Sequence, residues 1–494
     1  MRYLVLFFMS FISPTVTAQF VIEKSLQLVL HEDDYQYGVV PTGKQGVIFF
    51  NEIKNLESTS KRNWEIINLD SDLEMKWKTY FESDYNLKIT QVKYYDGYLY
   101  LMFKDLNIPM KSVFFARTSV IEENFEFFEI KDFLPAKIIG FEILGNSLFL
   151  IGLDEKRPAI LKFRYGDSRP EVLSGLYNEN NDLLHSEVLP DLNLIQIVTR
   201  MKRPRGRNRI LLVKQFDQHG DIHKDIVIES NKGFDLIDAK VNTDKEGNIC
   251  IVGTYSNGRN SDYSNGVFTM VYDDKEEQSI YYYEYINLHR FFEYLPEKEQ
   301  QKIARKYKKD SFGNNKSRYT INHELREIVK TEDGWRYMGE LVKFTEKNSR
   351  IYGNMWPMEY RQYSHAVVLG IAANGRLMWD NSISLDDHET PYARQQVFTS
   401  EYEDQLIVYY LHGLNLMYKV IDGGEDVMTS GNFELTLPGV EKINNQGRNY
   451  GEIMPWYDNL FIAFGSISTA SKFGGGKNIF YLNKMKISET DGLN

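Results

Sequence analysis

A turn of Gly, Asp or Asn followed by a short apolar strand recurs along the whole chain, and this repeat restricts the fold more than any other feature. Its eight members are Gly46–Phe50, Asp96–Leu101, Gly145–Gly152, Leu192–Val198, Glu246–Gly253, Asp333–Gly339, Glu403–Tyr409 and Tyr457–Gly465. They lie roughly fifty residues apart, with longer gaps between the fifth and sixth and between the sixth and seventh, and about fifty residues is what one four-stranded propeller blade occupies. The fourth unit shows the rest of a blade: a strand over Arg209–Phe216, the turn Asp217-Gln218-His219-Gly220-Asp221, and a strand over Ile222–Ile228. The expected fold is therefore all-β, a β-propeller of eight four-stranded blades, with seven blades and an irregular end as the alternative.

A propeller fastens its first blade to its last so that no sheet edge is left open. After Phe461 the chain has room for one more clear strand, Asn478–Ile487, which leaves the last blade one strand short. Phe20–Leu30, ahead of the first unit, is a surplus strand. It is expected to complete the eighth blade as its outer strand.

The strand reading is supported by 33 Tyr and 30 Phe residues, types that suit pleated, half-buried surfaces. Ahead of the repeat, Arg2, the apolar run Leu4–Ile12 and the small residues Val16-Thr17-Ala18 have the form of a signal peptide over residues 1–18, leaving 19–494 as a single propeller domain. The apolar run is too short to span a bilayer, so no transmembrane segment is expected in the mature chain. The formal net charge of −11 becomes one unit more negative when Arg2 leaves, which argues against a general nucleic-acid binder. The single cysteine, Cys250, stands in the apolar run Asn248–Val252 and reads as a buried core residue that can make no internal disulfide.

The segment Asp244-Lys245-Glu246-Gly247-Asn248, followed by the strand Ile249–Val252, resembles the Asp-x-x-Gly-Asn turn of exported bacterial β-propeller repeats. The resemblance is specific for that one blade and generic for the other seven. It implies fold and leaves function open.

Two insertions break the rhythm, at about 287–322 and 343–364, and a third feature interrupts the fourth unit. The first insertion contains a helix over Pro296–Lys309, with Glu297 and Glu299 near its start and Lys306, Lys308 and Lys309 near its end, as the helix dipole favours. The second reads as a loop rich in residues that anchor interfaces, among them Trp356, Tyr360 and Tyr363. The third is the run Arg200–Arg209, which carries six positive charges in ten residues, including Arg203, Arg205, Arg207 and Arg209. These seven aromatic and basic side chains are the candidate partner-binding residues, against the alternatives of a folded-over loop and a solvated hairpin tip.

Catalytic signatures do not emerge. There is no Gly-x-Ser-x-Gly nucleophile turn and no His-Glu-x-x-His zinc helix. His219 and His223 straddle a Gly-Asp turn and share no helix face, while Asp386–Glu389 and His31–Asp34 read as hydrated loops. No cofactor and no metal are expected. The expectation is a non-enzymatic, protein-binding scaffold of the bacterial cell envelope, periplasmic or alternatively secreted, serving as an accessory subunit of an outer-membrane secretion or transport machine. The rival is a glycan- or peptide-acting enzyme with its site in the propeller funnel. The sequence leaves oligomeric state open.

Overall fold

The turns show why the repeat folds as it does. In the computed structural model, Oδ1 of Asp244 accepts the backbone N–H groups of Glu246 at 3.1 Å and Asn248 at 2.8 Å, and Gly247 takes φ +87° between them. The Asn248 amide donates back to Asp244 Oδ2 at 2.9 Å. The aspartate thus supplies acceptors that a tight turn would otherwise leave to water, and glycine supplies the left-handed backbone. The same device recurs at Asp217, whose Oδ1 accepts from His219 N at 2.8 Å and Asp221 N at 2.9 Å, and at Asp70, which accepts from Asp72 and Glu74.

The structure describes residues 18–489 apart from 31–36, 54–60, 106–111, 123, 132–136, 165–168, 204–207, 259–260, 273–278, 311–318, 352–353, 392, 403, 441–449 and 470–476. Most of the leader expected over residues 1–18 lies outside them. The strands form eight four-stranded antiparallel sheets. The inner strands of blades 1 to 8 are Tyr37–Pro41, Leu87–Tyr95, Lys137–Leu144, Asn181–Leu189, Asp235–Thr243, Asn322–Thr331, Phe398–Tyr402 and Tyr450–Pro455. In seven blades the four strands follow chain order from inside to outside. The eighth consists of Tyr450–Pro455, Leu460–Ser468, Asn478–Glu489 and, on its outer edge, the N-terminal strand Ala18–Leu30.

That closure is the one expected from the surplus strand. Ala18–Leu30 pairs antiparallel with Asn478–Glu489, from Ala18↔Glu489 to Leu30↔Asn478. Phe20 sinks between blades 7 and 8, with ring centroids 5.1 Å from Tyr418 and 5.9 Å from both Tyr409 and Phe461. Across the seam between blades 8 and 1, Phe480 meets Phe49 at 4.5 Å and Tyr37 at 5.0 Å, and the Trp456 indole donates to Gly46 O at 2.9 Å. The buried apolar residues fall into eight clusters, one between each pair of neighbouring blades, including blade 8 against blade 1. A ring of eight has eight such interfaces, whereas an open stack of eight would have seven.

Antiparallel strands fix which loops share a face. Turns joining first to second and third to fourth strands fall on one side of the ring, here called the turn face. Links from second to third strands and crossings between blades fall on the other, the crossing face.

Candidate functional site

All three interruptions of the repeat leave from the crossing face. The basic run joins the second strand of blade 4, Leu194–Met201, to the third, Ile210–Asp217. The first insertion is the crossing from blade 5 to blade 6, and the second is the link between the second and third strands of blade 6.

The second insertion is built differently from the loop expected. It extends both strands it joins, Gly334–Ile351 and Asn354–Ala372, into one continuous antiparallel ribbon. Pairing runs from Gly334↔Ala372 through Lys343↔Gln362 to Ile351↔Asn354. The inner neighbour stops at Asn322↔Val342 and the outer one at Arg361↔Thr390, so beyond those rungs the two strands pair only with each other among the described residues. Beyond Phe344, the partner of Arg361, the seven residues to Ile351 at about 3.3 Å each carry the ribbon roughly 23 Å past the blade.

A polar network built around the buried Glu340 and Tyr363, at the crossing-face end of blade 6, fixes the root of the ribbon. Tyr363 donates its hydroxyl to Glu324 Oε2 at 3.0 Å, and Arg361 Nε donates to Glu324 Oε1 at 3.0 Å. Arg326 Nε reaches Glu340 Oε2 at 2.7 Å. The other oxygen of the fully buried Glu340 accepts the backbone N–H groups of Gln396 at 2.6 Å and Val397 at 2.7 Å, tying blade 6 to the crossing into blade 7. Burial pushes the Glu340 carboxyl and the Tyr363 phenol above their ordinary ranges. Tyr363 is thus part of the ribbon's anchor. Tyr360 is half-buried, with Lys347 Nζ 5.5 Å from its ring centre. Trp356 pairs through its backbone with Ser349, and its side chain lies outside the described residues.

The four described cations of the basic run, Arg200, Lys202, Arg203 and Arg209, each meet a carboxylate of a neighbouring segment. Arg203 makes a bidentate pair with Glu229 at 2.6 and 2.7 Å, while Arg200 and Lys202 share Asp182 at 2.9 Å each. Arg209 is buried and held by both oxygens of Asp235, through its backbone N–H at 2.8 Å and its Nε at 2.9 Å. Arg205 and Arg207 lie outside the described residues. Carboxylates from three separate segments meet these cations, a pairing that the run's own composition could not reveal.

The first insertion docks before it projects. Leu288 and Phe291 are buried, and the Asp380 carboxylate in the outer strand of blade 6 accepts the backbone N–H groups of His289 at 2.8 Å and Arg290 at 2.7 Å. Arg290 then reaches Asp426 of blade 7 at 3.1 Å. Tyr294 stacks on His365 with ring centres 3.8 Å apart. The helix α1, Glu297–Asp310, follows within one residue of the expected bounds. Gln300 and Ile303 are half-buried, and the other residues of α1 with described side chains are exposed.

Around the channel, the inner strands are laced blade to blade by polar pairs. His185 Nε2 lies 2.8 Å from Asp238 Oδ1 and Thr399 donates to Glu327 at 2.6 Å, while Arg394, in the crossing into blade 7, pairs with Glu452 on the inner strand of blade 8. Among the described residues no group of three or more His, Cys, Asp or Glu side chains is placed to hold a metal, and no helix is long and apolar enough to cross a membrane. The expected loop at Asp386–Glu389 belongs to the outer strand of blade 6, Leu377–Thr390.

No known family profile and no curated protein matches the sequence. Among solved structures, the chain is similar to the polysaccharide lyase Uly1, with 11% identity and a TM-score of 0.40 over 80% of this chain and 89% of that one. It is also similar to an acylaminoacyl peptidase of Pyrococcus horikoshii, with 9% identity and a TM-score of 0.36 over 78% of this chain and 51% of the peptidase. A third is a protein from Lactobacillus plantarum, at 11% identity and a TM-score of 0.37 over 79% of this chain and 96% of that one. The chain spans about half the length of the peptidase. These distant likenesses concern fold alone, and the class defined by the structure is an eight-bladed β-propeller.

Proposed function

We propose that this propeller is a non-enzymatic, partner-holding protein of the bacterial cell envelope whose crossing face receives a protein partner. One observation carries the reading: every large departure from the blade repeat leaves from that face, where a ribbon roughly 23 Å long stands on a polar anchor built around the fully buried Glu340 and Tyr363. Repeat scaffolds place their individuality in loops, and a long two-stranded ribbon outside a sheet is marginal by itself, so a partner that covers it is its natural complement. The aromatic and Met residues of the ribbon, Met355, Trp356, Met358 and Tyr360, suit a protein interface.

The signal-peptide reading of residues 1–18 supports export, and the absence of any Cys other than Cys250 removes a lipid-accepting cysteine after the leader. An outer-membrane protein of a secretion or transport machine is the partner proposed. Capture of tagged residues 19–494 from detergent-solubilised envelopes of the host, read by mass spectrometry, tests this. A reproducible outer-membrane companion at near-equal abundance is expected; recovery of the propeller alone would overturn the proposal.

A further inference from the structure

On a chain of formal charge −11, α1 carries six Lys and Arg against three Asp and Glu. At about 3.6 residues per turn, Lys298, Lys302, Arg305 and Lys306 fall within about 100° of arc and form one stripe along the helix. All four are exposed. The half-buried Gln300 and Ile303 lie on the other side of the helix, the one that is partly covered.

Elsewhere on the crossing face cations are met by carboxylates, Arg203 by Glu229 and Arg361 by Glu324. On α1 only Lys302 has such a partner, Glu299 at 2.7 Å. Among the described residues no carboxylate meets Lys298, Arg305 or Lys306. Lys298 and Lys302, and Lys302 and Lys306, stand four residues apart, where like charges repel and weaken a helix. An external anionic surface removes that cost. Three of the four cations are lysines, compact charges on flexible stems that present no planar fork to a particular carboxylate. Such a stripe suits a surface of many mobile anions better than one structured acidic epitope.

We infer that the outward stripe of α1 docks on the anionic phospholipid headgroups of a bilayer. The stripe contains no apolar residue, so the docking is electrostatic and is screened by salt. An outer-membrane protein held on the crossing face would bring its bilayer to this helix, and for that setting the inference rests on the partner reading.

Cosedimentation of residues 19–494 with phosphatidylcholine vesicles containing about 30% phosphatidylglycerol, at about 50 mM salt, tests it without the partner. Binding to these vesicles is expected, with none to pure phosphatidylcholine and a steep fall at about 500 mM salt. An acidic chain is repelled as a whole from an anionic bilayer, so binding requires a local basic element. Lys298→Gln/Arg305→Gln/Lys306→Gln, at exposed positions where Gln keeps helix propensity, should weaken binding about a hundredfold, at about fivefold per cation. Lys44→Gln/Lys76→Gln/Lys245→Gln removes the same charge from exposed positions on the turn face and should bind as the parent does. Absence of parent binding to the anionic vesicles at the lower salt, or equal binding by the α1 variant, would overturn the inference. Binding of an end-blocked hexaglutamate peptide without binding of the vesicles would assign α1 to an acidic protein segment and overturn it too. Detergent extracts hold no bilayer, so the α1 variant should recover the same companion as the parent in the envelope capture, and the two tests fail separately.

Discussion

Acidification should loosen this propeller through His323, a side chain at the start of the inner strand of blade 6. Its ring is fully buried, with Nδ1 2.9 Å from the Tyr285 hydroxyl and Nε2 2.9 Å from the Tyr337 hydroxyl. Burial depresses its pKa from 6.5 to about 3, with nearby Asp238 opposing the shift and Arg326 adding to it. The unfolded chain therefore takes up this proton below about pH 6.5 while the folded chain does not. The stabilisation is complete above that pH and is progressively lost as pH falls toward 3. At about pH 5 the gap is about 1.5 units, which at 1.36 kcal/mol per unit is about 2 kcal/mol. His365, depressed well below its usual value by burial, acts in the same direction. Glu327 and Glu340, raised by burial, act in the opposite one, so the parent's total response mixes signs. Comparison with His323→Gln, which keeps a donor and an acceptor for the two tyrosines, isolates the histidine. Urea unfolding of both proteins at about pH 7.5 and about pH 5 should show the parent losing about 2 kcal/mol more than the variant. Equal losses would refute the argument.

Three further consequences can be measured directly. Asp235→Ala removes the buried carboxylate from Arg209, leaving its guanidinium the Ser261 carbonyl and the exposed Asp262 at 3.5 Å, and should cost about 3 kcal/mol in denaturant unfolding, with Arg209→Met/Asp235→Leu recovering most of it; a cost below about 1 kcal/mol contradicts the pairing. Phe20→Ala empties the seam between blades 7 and 8 and should cost about 3 to 5 kcal/mol, with faster amide exchange along Ala18–Leu30; unchanged exchange there would show that this ring does not secure the closing strand. Cys250 is buried and its thiol is pushed well above its usual pKa, so a water-soluble disulfide reagent should label it only after denaturant is added, and rapid labelling of the native protein would contradict its place in the core.

The ring was legible where a residue's role is local. Asp244, Gly247 and Asn248 announce their turn because its acceptor, left-handed backbone and donor all lie within five residues. The closing strand was legible by counting, since Asn478–Glu489 needed an outer neighbour and Phe20–Leu30 had none. The ribbon was hidden because strand periodicity shows only where one face is buried, and past Phe344 both strands leave the blade and carry residues such as Glu346 and Lys347, which are exposed. Pro357 within its second strand also pointed away from a ladder. The pairing of Arg209 was hidden for another reason. Its carboxylate, Asp235, is twenty-six residues away on the inner strand of the next blade, and only the packing of blades 4 and 5 brings it near. The described cations of the basic run are therefore less available in the fold than their sequence suggests.

A crossing face that holds its partner through the blade 6 ribbon must let the partner go when the ribbon is cut back. The sharpest test is the envelope capture repeated with residues 345–360 replaced by Asn-Gly, which joins Phe344 to its partner Arg361 and so ends the ribbon at the last rung that the outer strand of the blade supports. Circular dichroism and the melting temperature report that the ring survives. This variant should stay folded and lose the companion recovered with the parent. A folded variant that still recovers the same companion at equal abundance would contradict it.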